Sequence, residues 1–199
     1  QNLNFNFYEE KNTYLLKKIN MTLNDIEITS PLIEIEEQKT SFLVKGKILN
    51  NNKKFNIEEL KPFFSASFNN IDIREIEFGS TSNFSFNLNK KLKFNNLKMD
   101  SIVDLTKITF GVKKLELKSY FPSFVEEIKL KSHKILIDYN KNQLNIEGKG
   151  NILLEDKLDN LSYQIIKKNN KFSFDSKINL ENNSLQINFL DYKKKENLS

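Results

Sequence analysis

The chain has 199 residues, enough for one large β domain or two small ones, and lacking both Cys and Trp it can form neither disulfides nor thiolate metal sites. Basic residues exceed acidic ones 31 to 26, a modest net charge of +5 in which every basic residue but Arg74 is Lys. No run approaches the roughly 18 apolar residues of a spanning helix, so any membrane anchor is expected outside this segment, and Gln1 in place of Met suggests a mature product or a piece of something longer.

Strict alternation of apolar and polar residues dominates from the start, and because successive strand side chains point to opposite faces, it predicts half-buried strands. Leu3, Phe5 and Phe7 alternate with Asn2, Asn4 and Asn6, and Ile19, Met21 and Leu23 follow. After Asn24 and Asp25 the phase moves to Ile26 and Ile28, which implies a bulge or turn. Phe42, Val44 and Ile48 share a phase around Gly46, and Asn50, Asn51 and Asn52 are suited to a turn. Near residues 55–62 the spacing of Ile57, Leu60 and Lys61 before Pro62 predicts one short helical turn. Strands are expected to resume at Ile71 and Ile73, Ile76 and Phe78, Phe84 to Leu88, Leu92 and Phe94, Ile108 to Val112, and Leu115 and Leu117.

The last third repeats the pattern. Ile135, Ile137 and Tyr139 lead into a turn at Asn140 to Asn142, and Leu144, Ile146, Gly148, Gly150, Ile152 and Leu154 keep one phase. Tyr163 and Ile165 precede a turn at Lys167 to Asn170; Phe172, Phe174, Ile178 and Leu180 lead to Asn182 and Asn183, then Leu185, Ile187 and Phe189. Such short loops make sequential strands antiparallel neighbours, so strand order should follow chain order. About a dozen strands of five to eight residues exceed what a flat open sheet usually holds, so the sheet is expected to curve. Leaving its apolar row in water would forfeit roughly 1.5 to 3 kcal/mol per side chain. A second sheet, a partner or lipid must therefore cover that face.

Catalytic signatures are absent from the sequence: there is no G-x-S-x-G, H-E-x-x-H, P-loop or G-x-G-x-x-G, and His133 is the sole histidine. We accordingly expect no enzyme, no metal and no cofactor. Adjacent carboxylates such as Glu9 and Glu10, Glu36 and Glu37, Glu58 and Glu59, and Glu126 and Glu127 point opposite ways on a strand and read as surface charge. Lys pairs such as Lys53 and Lys54, Lys90 and Lys91, Lys113 and Lys114, and Lys167 and Lys168 read as turn and edge charges. Gly148 and Gly150 stand in the apolar phase, which suggests a bend, a bulge or close approach on the oily face. Tyr120 to Val125 interrupts the alternation with an aromatic cluster, either a packed linker or a plug over a groove. The 17 Phe and 6 Tyr could offer stacking platforms, but a single-strand nucleic-acid binder needs Lys on the aromatic face, and here Lys takes the opposite one.

The residues Ile135 to Tyr139 with Leu144 to Gly150, the step Asp159 to Tyr163, and Leu185 to Tyr192 running into Lys193 to Lys195 carry a family likeness. The stretch from Tyr120 to Ser199 resembles the AsmA-like proteins of the bacterial envelope, relatives of TamB and the repeating β-groove lipid carriers. The resemblance implies an all-β, curved antiparallel meander forming an open half-pipe, one segment over residues 1–199 of a longer envelope protein. It implies phospholipid as the partner, with tails passing between the inner and outer membranes. Other implied partners are the inner membrane, reached through an anchor outside this segment, and outer-membrane proteins, in a periplasmic setting without nucleic acid. Alternation and resemblance together assign the groove lining to Ile135, Ile137, Tyr139, Leu144, Ile146, Ile152, Leu154, Tyr163, Ile165, Phe172, Phe174, Ile178, Leu180, Leu185, Ile187 and Phe189. The alternative is a closed β-sandwich, a structural or adhesive module in which the same residues form the core.

Overall fold

Ten of the alternating runs pair side by side into one antiparallel sheet whose spatial order is the order of the chain. The strands are β1 (Asn2–Glu10), β2 (Thr13–Leu23), β3 (Ile26–Glu37), β4 (Ser41–Phe55), β5 (Asp72–Asn89), β6 (Phe94–Gly111), β7 (Glu127–Asn140), β8 (Gln143–Leu153), β9 (Leu158–Lys168) and β10 (Lys171–Asn179). A single helical turn, α1 (Ile57–Leu60), follows β4, and a small separate hairpin, β11 (Leu185–Ile187) with β12 (Tyr192–Lys194), follows β10. The computed structural model describes residues 2–23, 26–60, 72–112, 117–169 and 171–197. The expected turn at Asn24 and Asp25, the helix stop at Lys61 and Pro62, Ile71, the pair Lys113 and Lys114 with Leu115, and the turn residue Asn170 lie outside the described residues.

The sheet is curved and does not close into a barrel. Each strand contacts its immediate neighbours, and α1 rests on β5; among the described residues the only other sheet is the small β11–β12 hairpin, which reaches the main sheet at one end through Leu185. The β-sandwich alternative is therefore not the fold. α1 begins where the Asn56 side-chain oxygen accepts the Glu58 backbone N–H at 3.1 Å, an N-cap bond on a turn with the expected apolar spacing.

The strands are longer than the predicted five to eight residues, reaching 18 in β5 and β6. Apparent breaks in phase are bulges inside continuous strands. One-residue register slips fall between Thr29 and Ile33 of β3, Asn50 and Lys53 of β4, Glu77 and Phe78 of β5, and Lys131 and Lys134 of β7. Asn50 to Asn52, predicted as a turn, are thus part of β4. A bulge adds one residue without ending the ladder, so odd and even positions exchange faces while the apolar side stays apolar. In β6, Leu105 on one side of the slip and Ile108 on the other enter the same hydrophobic cluster; in β7, Leu130 and Ile135 do so.

Two such clusters form the core, and both sit at the same end of the sheet. The first joins buried Ile26, Phe55, Leu60, Ile76, Leu105 and Ile108, with Ile57 of α1 packed against them. The second joins Phe121, Phe124, Ile152 and Leu154, with Leu117, Leu161, Leu180 and Leu185 around them. On the opposite, polar face of this end, Glu75 bridges Lys54 of β4 and Lys107 of β6, and Glu127 bridges Arg74 and Lys129.

Candidate functional site

Beyond the band of bulges, the apolar face continues across the sheet with no described element lying over it. Cross-strand pairing sets the residues in rows. Ile35 faces Val44 and Val44 faces Phe86; Ile137 of β7 faces Ile146 of β8, which faces Ile165 of β9, and that residue faces Phe174 of β10. Phe84 and Phe86 stack at 5.9 Å between ring centroids, and Phe86 meets Phe94 at 4.6 Å. Most of these side chains are half-buried by their neighbours in the sheet, whereas on the last strand Phe172 and Phe174 are 70% and 67% exposed.

The predicted lining residues divide into three groups. Ile135, Ile137, Tyr139, Leu144, Ile146, Tyr163, Ile165, Phe172, Phe174 and Ile178 share the apolar face of β7 to β10. Ile152, Leu154, Leu180 and Leu185 belong instead to the sealed cluster beneath Phe121 and Phe124. Ile187 lies in the separate hairpin, and Phe189 is in a 3₁₀ turn, Asn188–Leu190, rather than a strand. The same face also takes in Ile33, Ile35, Val44, Phe84, Phe86 and Val103 from β3 to β6, which the predicted lining omitted although the same alternation marks them.

The aromatic segment Tyr120 to Val125 settles over the apolar face rather than beside the sheet. A 3₁₀ turn, Leu117–Ser119, delivers it; Phe121 and Phe124 are buried while Tyr120 and Val125 stay exposed. Backbone bonds hold it at both sides, from the Gln186 N–H to the Tyr120 carbonyl at 2.9 Å and from the Ser123 N–H to Glu155 Oε1 at 2.6 Å. Below it, buried Asp159 accepts the backbone N–H groups of Glu181, Asn182 and Asn183 and the Asn183 side-chain amide. Burial works to raise the Asp159 carboxyl, but these hydrogen bonds together outweigh it and hold the group below its ordinary value.

At the boundary between the covered and open parts, the glycines of β8 admit two rings. The Tyr163 ring lies where a side chain at Gly148 would stand, and the His133 ring lies where one at Gly150 would stand. His133 is in the middle of β7, 2% exposed, with its centroid 5.8 Å from that of Tyr163. Its Nε2 is 2.9 Å from the Asn151 carbonyl, which can only accept, so Nε2 carries the proton; buried Nδ1 has no partner. Burial lowers the imidazole pKa and the Asn151 carbonyl only partly offsets it, leaving a neutral ring. Burial likewise raises the Tyr163 phenol.

The other face of the same strands is polar. One recess of about 560 Å³ is lined by Lys134, Leu136, Glu147, Lys149, Gln164 and Asp175 among others, and a neighbouring one of about 340 Å³ by Asn83, Asp100, Ile102 and Asp138 among others. Charges of both signs line the first recess and carboxylates alone the second, and no cluster of three His, Cys, Asp or Glu suited to a metal ion occurs among the described residues. The chemistry available to the open apolar face is the desolvation of hydrocarbon. No helix among the described residues is long and apolar enough to cross a membrane. No protein-family model, curated protein or solved structure matches the chain.

Proposed function

We propose that the chain holds the hydrocarbon tails of phospholipids along the open apolar face, as a segment of a route by which lipid passes between the inner and outer membranes of an envelope. One observation carries the reading: an apolar face spans the ten-stranded sheet, and over much of its length no element among the described residues covers it. A buried methylene is worth about 0.8 kcal/mol, so a sixteen-carbon tail costs about 12 kcal/mol to leave in water. A carrier has to offset that along the whole path, and rows of Ile, Val and Phe without directional partners do so for any tail.

The dimensions suit the cargo. Ser80 to Asn89 of β5 extend about 33 Å at 3.3 Å per residue, and ten strands span about 43 Å across. One leaflet's hydrocarbon is about 15 Å deep, half of a bilayer core. The polar recesses are on the reverse side, where Lys134 and Lys149 stand beside Glu147 and Asp175, and such mixed charge gives an acyl chain nothing.

Lipid mass spectrometry of the purified chain, with titration of a fluorescent phospholipid, tests the proposal. Bound phospholipid is expected, and Ile146→Asp should weaken binding by about tenfold or more, since each 1.4 kcal/mol is a decade. A chain that purifies without lipid and binds the probe no better than Ile146→Asp would overturn the reading.

A further inference from the structure

We propose that copies of this chain join edge to edge, β10 of one copy pairing antiparallel with β1 of the next, so that the sheet and its apolar face run on from copy to copy. The inference rests on the two sheet edges and is independent of what the face carries. β1 and β10 have no outer neighbour among the described residues, and every residue of both is exposed. Each offers large apolar side chains to water: Leu3, Phe5 and Phe7 on one, Phe172, Phe174 and Ile178 on the other. Long, exposed apolar edges are templates for strand addition.

Three features select the opposite edge of a second copy as the occupant. The sheet has an even number of alternating strands, so a second copy placed beyond β10 brings its β1 in antiparallel. Both edge strands have nine residues, and each belongs to a hairpin whose two-residue loop opens with a positive-φ residue, Lys11 or Asn169. Such a loop makes the flanking residues, Glu10 with Thr13 and Lys168 with Lys171, the hydrogen-bonded pair. The backbone groups turned outward are then those of odd residues in β1 and even residues in β10. These are also the residues that carry the apolar side chains.

One full-length alignment satisfies hydrogen bonding and face together. It sets Asn2 against Asn179 and Glu10 against Lys171, with Leu3 opposite Ile178 and Phe7 opposite Phe174. The acidic end of β1, Glu9 and Glu10, meets the basic end of the β9–β10 hairpin, where Lys171 opens β10 and Lys168 closes β9 beside it. Pairing β10 with its own copy in the corresponding register would instead oppose Asp175 to Asp175.

Sedimentation velocity of the Gln1–Ser199 chain over a concentration series reads the outcome. Species beyond the dimer are expected to grow with concentration. Ser176→Pro and Phe7→Pro each remove an outward N–H while leaving the chain's own ladder intact, and each alone should be monomeric with an unchanged far-ultraviolet spectrum. Mixed one to one, they should form a dimer and nothing larger, since one good β1 and one good β10 remain. Glu10→Lys and Lys171→Glu should each weaken association by about fivefold, and the two together should restore it. A chain monomeric at every concentration, a closed dimer, or an oligomer indifferent to both proline variants would overturn the proposal.

Discussion

The two ends of the sheet have the same alternation and differ in their connections. At the open end the strands are joined by short turns: Lys11 and Asn12, Gln38 to Thr40, Lys90 to Lys93, and Lys141 and Asn142. At the other end, the connections after β4 and β6 carry α1 and the Phe121–Phe124 segment, and these bend back over the apolar face. A short turn has no side chains to spare for the face beneath it, whereas a connection of a dozen residues or more can bring its own hydrophobic lid. One end therefore has a core and the other an open surface. The same residue types stabilise the first and are left available in the second.

Truncation should expose that difference most strongly. Phe124→Ala empties the lid of the sealed end and is expected to lower stability by about 3 to 5 kcal/mol, read as a drop in urea midpoint. Ile137→Ala in the open half, where the side chain is half-buried, should cost about 1 kcal/mol. Equal losses at the two sites would abolish the distinction. Asp159→Ala leaves three backbone N–H groups and the Asn183 amide short of an acceptor, and about 2 to 3 kcal/mol should be lost as the strap after β10 loosens. Gly148→Ala, at the boundary, drives a methyl group into the Tyr163 ring and should cost about 1 to 2 kcal/mol, with Tyr163 fluorescence reporting the displaced ring.

The smallest effect is electrostatic. Hydrogen bonds from Lys107 and Lys54 hold the Glu75 carboxyl at about 2, below its ordinary 4.5. A depressed carboxyl stabilises the fold above its unfolded value and loses that contribution as protons bind, so its share fades between about pH 4.5 and about pH 2. Lys107→Met should flatten the acid limb of the stability curve in that window. Glu75 is solvent-accessible, so the change should also shrink in high salt.

Alternation along Leu144 to Leu154 made the strand and its apolar face legible, and the short loops made the meander order legible, because side-chain direction and turn closure are local properties of the chain. Strand ends were harder to read. The Asn run at 50–52 resembles a turn in composition, yet β5 pairs with β4 before and after it, Asn50 with Ser80 and Lys53 with Phe78, and holds the strand through it as a bulge. The candidate site was half legible for a related reason. Ile146 and Ile152 occupy the same phase of one strand, but one is half-buried in the open face and the other is 4% exposed beneath Phe124.

The amino-acid sequence by itself determined that this protein is a succession of antiparallel strands with one oily side, since a period of two is written residue by residue. The tertiary structure alone decided how much of that side is sealed. Whether a lid reaches a given residue depends on where a distant segment such as Phe121–Phe124 settles on the sheet, and such long-range contacts leave no periodic trace in the strands they cover.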